Sequence, residues 1–262
     1  MERTIFRPHS RHMEYPGIRI VPIDSPLCWL RDGATDLRRS WPISLGYGVV
    51  FAGLGSLLAG YAWSQVHLAM AMTTGFLLLA PFLAIGFYDL SRQIDAGMRP
   101  SIRHSLIAWR GNASSIGLYA ALLIILLIAW ERMSAILVAL FLTDNTLAVE
   151  SLVGEVMTSG GHMAFVVAYT VFGAVLAAVV FALSVVSLPM LLDRKVNVAT
   201  ALMTSLWAVR ENPQVMLLWA AIIVALIAVG YLTYCVGLVF FFPLLGHATW
   251  RAYRDLIEPS LG

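Results

Sequence analysis

Ser105-Leu-Ile-Ala-Trp-Arg110-Gly-Asn112 runs straight into an apolar stretch, and one hundred residues later Ser205-Leu-Trp-Ala-Val-Arg210-Glu-Asn212 does the same. Aligned without a gap over 24 positions, nine are identical, and the identities include Ser, Leu, Arg and Asn. Shared hydrophobicity alone does not produce matched polar residues. Each copy reads as one physical unit: a short amphipathic helix lying on the membrane, a basic residue at the water boundary, and then a spanning helix. Internal repeats of this kind are common in polytopic membrane proteins.

Composition points the same way. Of 262 residues, 60% are hydrophobic and only 12% charged, with mean hydropathy +0.81, a balance that the surface of a soluble domain of this size does not tolerate. The expected class is all-α and polytopic, and nothing in the chain suggests a nucleic-acid partner. Cys28 and Cys235 fall on a surface helix and near the opposite side of the bilayer, so they are not expected to pair.

Residues 1–24 form a basic tail with Arg3, Arg7, Arg11 and Arg19 among three prolines, and the rest, 25–262, reads as one membrane domain. Ser25-Pro26 marks a helix start, Ser as cap and Pro in the first turn, followed by an apolar stripe of Leu27, Leu30, Ala34 and Leu37 with Arg31, Asp32, Arg38 and Arg39 opposite. Such a helix lies in the interface plane. Pro42 to Trp63 supplies about the 20 residues needed to cross the hydrocarbon. Its small residues Gly48, Ala52, Ser56 and Gly60 recur every fourth position and form a packing ridge for close helix approach. A second span runs from Leu68 to about Leu90.

The same plan repeats twice. Residues 91–112 form the second surface segment, with Ile102, Leu106 and Trp109 facing lipid; the third and fourth spans follow, up to Asp193. Asn197 is expected to cap the third surface helix, whose stripe is Val198, Leu202, Leu206 and Val209. The fifth span starts at Pro213 and the sixth ends near Trp250. The repeat units are thus about 25–90, 98–192 and 197–256: six transmembrane helices in three hairpins, each preceded by an amphipathic interfacial helix. The second helix of each hairpin carries a proline near its inner end, at Pro81, Pro189 and Pro243. Sixteen of the 17 Arg and Lys residues then fall on one side, with Arg132 alone on the other. That distribution places both termini in the cytoplasm.

Candidate functional residues are few. Eighteen residues of the third span precede Glu131-Arg132, about 27 Å of helix at 1.5 Å per residue, so the pair is read as an anchor at the far interface; the alternative is a buried ion pair guarding a pathway. Asp89 is a possible proton-coupling acid. His247, Trp250 and Arg251 share the most polar and aromatic helix end, read as an aromatic belt with a snorkelling arginine. The acidic loop 143–161 sits on apolar runs of about 30 residues and is expected to project beyond the bilayer. No phosphate loop, zinc motif or cysteine pair occurs, and His67, His162 and His247 fall at helix ends on different sides, so no catalytic residue, metal site or cofactor is expected.

The segments Pro81-Phe-Leu-Ala-Ile-Gly-Phe-Tyr-Asp89-Leu-Ser-Arg92, Ser187-Leu-Pro-Met-Leu-Leu-Asp193-Arg194 and Gly246-His247-Ala-Thr-Trp250 resemble a family of bacterial inner-membrane proteins of unknown function. Some of its members are labelled as cytochrome c oxidase subunits. The resemblance extends from about Trp29 to the C-terminus. Where the family pattern often has a second His after the Trp, this chain has Arg251, which weakens a paired-His site. The resemblance implies a bacterial inner-membrane protein. Because the haem and copper ligands of a catalytic oxidase subunit are missing, any respiratory link would make the chain a non-catalytic accessory subunit or assembly factor, in contact with lipids and other membrane subunits. The competing expectation is a small-solute or proton-coupled transporter or channel.

Overall fold

The computed structural model describes residues 16–62, 80–141 and 162–259. The turn before Leu68, the first part of the second span with His67, and the acidic loop 143–161 lie outside the described residues. In chain order the helices are α1 (Ser25–Arg39), α2 (Trp41–Ala62), α3 (Ala80–Leu83), α4 (Ile85–Asp95) and α5 (Ile102–Ile107), with a 3-10 turn at Ala108–Asn112. They continue as α6 (Ala113–Phe141), α7 (Met163–Ser184), α8 (Ser187–Asp193), α9 (Val198–Glu211), α10 (Pro213–Leu232) and α11 (Leu238–Leu256). No β-strand occurs among the described residues beyond one isolated bridge between Ile18 and Ile257.

Local chemistry accounts for the helix ends. Asn197 accepts a hydrogen bond from the Thr200 N–H at 2.8 Å and caps α9 as expected. Ser25 does not cap α1: it lies buried inside the first turn, Asp24 precedes it, and Pro26 fixes the backbone there. Arg38 and Arg39 in the last turn of α1 suit the negative end of its dipole. The prolines act differently. Pro81 and Pro189 lie beside joints, at Ala84 and at Val185–Val186, whereas Pro243 sits inside an unbroken α11.

Among the described residues three helical runs are long and apolar enough to cross a membrane: Ile102–Phe141, Met163–Asp193 and Pro213–Leu232. The 22-residue α2 carries a shorter apolar stretch, Trp41–Leu57. The long runs keep large apolar side chains outward, among them Leu118, Ile125, Leu140, Val175, Leu217 and Leu232. In water this would be untenable, and in hydrocarbon it costs nothing.

α11 is the opposite case, a helix surrounded by the others. Leu238, Phe242, Leu245, His247, Ala248, Trp250, Ala252, Tyr253 and Leu256 are all buried. Neighbours reach its backbone because glycines remove obstructing side chains. A Cβ on Gly33 would lie 2.7 Å from the Ala248 nitrogen, and one on Gly246 would lie 2.7 Å from Phe87. One on Gly48 would collide with the carbonyl oxygen of Val239. That carbonyl has no helical N–H partner, because residue 243 is proline. Gly48 and Ala52 of the expected ridge therefore pack on or near α11, while Ser56 and Gly60 remain exposed.

The segment before α1 meets the one after α11. Arg19 N–H donates to the Leu256 carbonyl at 2.8 Å and Glu258 N–H to the Gly17 carbonyl at 3.0 Å. Asn212 clamps the same segment, accepting from Val21 N–H at 3.0 Å and donating to the Arg19 carbonyl at 3.1 Å. Asn112, at the matching position of the other copy, donates to the carbonyls of Val196 at 2.9 Å and Leu191 at 3.2 Å. Each of these asparagines heads a long helix and holds the backbone just before α1 or α9.

Candidate functional site

Three ladders of polar residues, each spaced by four, converge where α1, α2, α4 and α11 meet. Asp36, Ser40 and Ser44 follow one another across the α1–α2 joint. Ser91 and Asp95 lie on α4, and His247 and Arg251 on α11. Four-residue spacing puts each set on one helix face. Asp36, Ser40, Ser44, Ser91 and His247 are all at most 2% exposed.

Their bonds form a closed ring. Ser91 Oγ donates to Asp36 Oδ2 at 2.8 Å and lies 2.8 Å from His247 Nδ1. Its single proton is thus committed to Asp36, so Nδ1 must carry the hydrogen and donate to Ser91. In the neutral ring Nε2 is then the acceptor, facing Ser44 Oγ at 2.9 Å. Ser44, its one proton given to Nε2, accepts from Ser40 Oγ at 2.8 Å, and Ser40 shares its single proton between Ser44 and the Asp36 carbonyl at 2.9 Å. The circuit begins and ends on Asp36.

Arg251 joins this ring to a chain of ion pairs. Its Nη2 and Nε donate to the two carboxylate oxygens of Asp36 at 2.6 and 2.8 Å, and its Nη1 donates to Asp95 at 2.6 Å. Trp250 Nε1 donates to the other Asp95 oxygen at 2.9 Å. Arg254 lies 3.9 Å from Asp95 and 3.7 Å from Asp193, and Tyr253 OH donates to Asp193 at 2.7 Å while accepting from Arg194 Nε at 3.0 Å. Asp36, Asp95 and Asp193 thus face Arg251, Arg254 and Arg194, so the formal charges cancel. Burial pushes the Asp36 carboxyl above its usual range, against the opposing pull of Arg251 and Ser91. Burial acts to lower the Arg251 pKa, but Asp36 and Asp95 outweigh it and raise the value.

Asp89 sits in a neighbouring cluster and is fully buried. It accepts from Arg92 Nη2 at 2.6 Å, Gln93 Nε2 at 2.7 Å and His104 Nδ1 at 2.8 Å, and Arg92 uses its other arm on the Leu192 carbonyl at 2.6 Å. Every oxygen is matched by a donor.

The Ser44–His247 distance suits a nucleophile and its base, yet both side chains are fully buried and their remaining polar atoms are engaged inside the ring. Among the described residues no group of three or more His, Cys, Asp or Glu could hold a metal ion. Cys28 and Cys235 are both free. The arrangement is suited to fastening helices together.

Of the residues singled out in the sequence, His247, Trp250 and Arg251 come together here, with Asp89 in the adjoining cluster. Glu131 and Arg132 lie elsewhere, on α6. They pair with each other at 3.3 Å, with side chains 47% and 76% exposed. Asp36, Ser40, Ser44, Ser91 and Asp95 were not anticipated. Their signal was the four-residue polar spacing, masked by the apolar stripe on α1 that drew the reading toward its lipid-facing side.

No curated protein and no solved structure matches the chain. Residues 68–193, just under half of the chain, match the model of the family described as predicted integral membrane protein, DUF2189.

Proposed function

We propose that this chain is a non-catalytic membrane subunit, an accessory component or assembly factor of a larger membrane complex, which the family resemblance suggests is respiratory. In this reading six spans in three hairpins cross a bacterial inner membrane, with both termini and the ion-pair chain on the cytoplasmic side. The matched work of Asn112 and Asn212 and the one-sided placement of arginines support it. Arg103→Cys, introduced with Cys28→Ser and Cys235→Ser, should resist a membrane-impermeant maleimide added to intact cells; labelling would reverse the orientation.

The observation that carries the docking role is the extension of α6 past its charged pair. α6 has 29 residues, about 43 Å of helix against a hydrocarbon core of about 30 Å. Beyond Glu131 and Arg132 the exposed residues are apolar again, with Ile136 at 56% and Leu140 at 74%. Apolar surface outside the lipid calls for protein cover. Mild-detergent extraction should co-purify another membrane protein, and Leu140→Glu should release it. Recovery of the wild-type chain only as a monomer or homo-oligomer would remove this reading.

A second reading, a proton-coupled transporter, draws on the buried ring of Asp36, Ser91 and His247. Helix middles without midplane polar residues count against it. His247→Phe, if it abolished uptake of a solute while the protein stayed folded, would favour transport over docking.

A further inference from the structure

We propose that the groove between α7 and α9 seats one acyl chain of a phospholipid whose anionic headgroup is held by Arg210. The proposal rests on the membrane placement of α7 and α9 and is independent of any partner protein. Val175, Ala178, Val179, Ala182 and Leu183 line one wall and Leu206 closes the other, around a space of about 410 Å³. The α7 positions recur at three- and four-residue steps, so they form one stripe, with Ala178 and Ala182 making a trough between larger side chains. Every lining residue is apolar, which suits a hydrocarbon chain and offers nothing to a polar ligand.

The groove is built by polar bonds at its lower end. Ser205 Oγ donates to the Ala182 carbonyl at 2.7 Å and accepts from Val186 N–H at 3.2 Å, while Ser187 Oγ donates to the Ala201 carbonyl at 3.0 Å. These bonds fix α9 against the joint between α7 and α8, so the trough is held open without an occupant. From Ala182 to Val175 it climbs about 10 Å at the helical rise.

Charge selects the headgroup. Arg210 lies one turn beyond Leu206 on α9, is exposed, and forms no ion pair among the described residues. Arg92, Arg194, Arg251 and Arg254 on this side of the fold are paired with Asp89, Asp193, Asp36 and Asp95, whereas Arg210 keeps its charge for a ligand. Glu211 beside Arg210 is exposed and does not neutralise it. A free guanidinium next to an apolar trough matches a phosphodiester above a fatty chain.

The test is native mass spectrometry of the full chain, purified in mild detergent and offered phosphatidylglycerol and phosphatidylcholine of identical chains in equal amounts. Wild type should retain one phospholipid and prefer phosphatidylglycerol by about fivefold. Arg210→Gln should retain a lipid without preference, Arg210→Lys should keep most of the preference, and Ala178→Trp, which fills the trough, should retain none. All variants are compared at matched monodisperse elution. Equal retention of both lipids by wild type, an undiminished preference in Arg210→Gln, or full retention in a folded Ala178→Trp would each overturn the proposal.

Discussion

Two carboxylate–arginine pairs in this protein have the same chemistry and opposite worth. Arg251 meets Asp36 at 2.6 Å with side chains 21% and 3% exposed. Glu131 meets Arg132 at 3.3 Å with side chains 47% and 76% exposed. The first holds α11 to α1 and, through Asp95, to the end of α4. The second joins neighbours on one helix and tethers nothing. Water access decides the difference: an exposed pair competes with solvent, whereas removing one member of a buried pair leaves the other charge stranded. Arg251 and the Glu131–Arg132 pair, all singled out in the sequence, therefore differ: one fastens helices and the other does not.

The largest expected effect tests the fastening. Asp36→Ala strands Arg251 and breaks the ring at its origin, and should cost about 4 kcal/mol, read as a steep fall in the temperature at which the purified chain loses monodispersity. Asp36→Asn should be milder. Because burial raises the Asp36 pKa, the folded state already disfavours the charged form, so a neutral side chain that keeps part of the bonding loses less. An Asn variant as unstable as the Ala variant would show that charge outweighs hydrogen bonding.

Next comes close packing. Gly33→Val pushes a Cβ against the Ala248 backbone, which cannot rotate away, and should cost about 3 kcal/mol. Tolerance of valine would mean that α1 and α11 lie farther apart. Smaller again, Asn112→Ala and Asn212→Ala should each cost about 1 to 2 kcal/mol by orphaning backbone groups. Similar losses would support equivalent repeat units, and a several-fold disparity would separate them. Smallest of all, Glu131→Gln and Arg132→Gln should leave thermal stability within about 0.5 kcal/mol. A large loss at either would erase the contrast between the two pairs.

Much of this was legible beforehand. The apolar runs gave the long helices, Asn197 announced its cap, and Pro81 and Pro189 sit beside breaks. His247, Trp250 and Arg251 stood out as a polar and aromatic helix end. Their partners did not, because Asp36 and Ser91 lie 215 and 156 residues away from the groups they bind, and a single sequence carries no record of such pairing. Reading the end of α11 as an aromatic belt with a snorkelling arginine also missed its central position, with Trp250 buried and Arg251 paired to Asp36. Hydropathy reports affinity for an apolar surrounding and does not say whether lipid or protein supplies it.

Sequence by itself determined the solvent of this protein: long apolar helices need hydrocarbon around them, and arginines mark where those helices reach water. Tertiary structure alone decided which charges are neutralised. Four-residue spacing can orient Asp36, Ser91 and His247 on their own helices, but only glycine-mediated approach of α1 and Phe87 to α11 brings them within bonding distance.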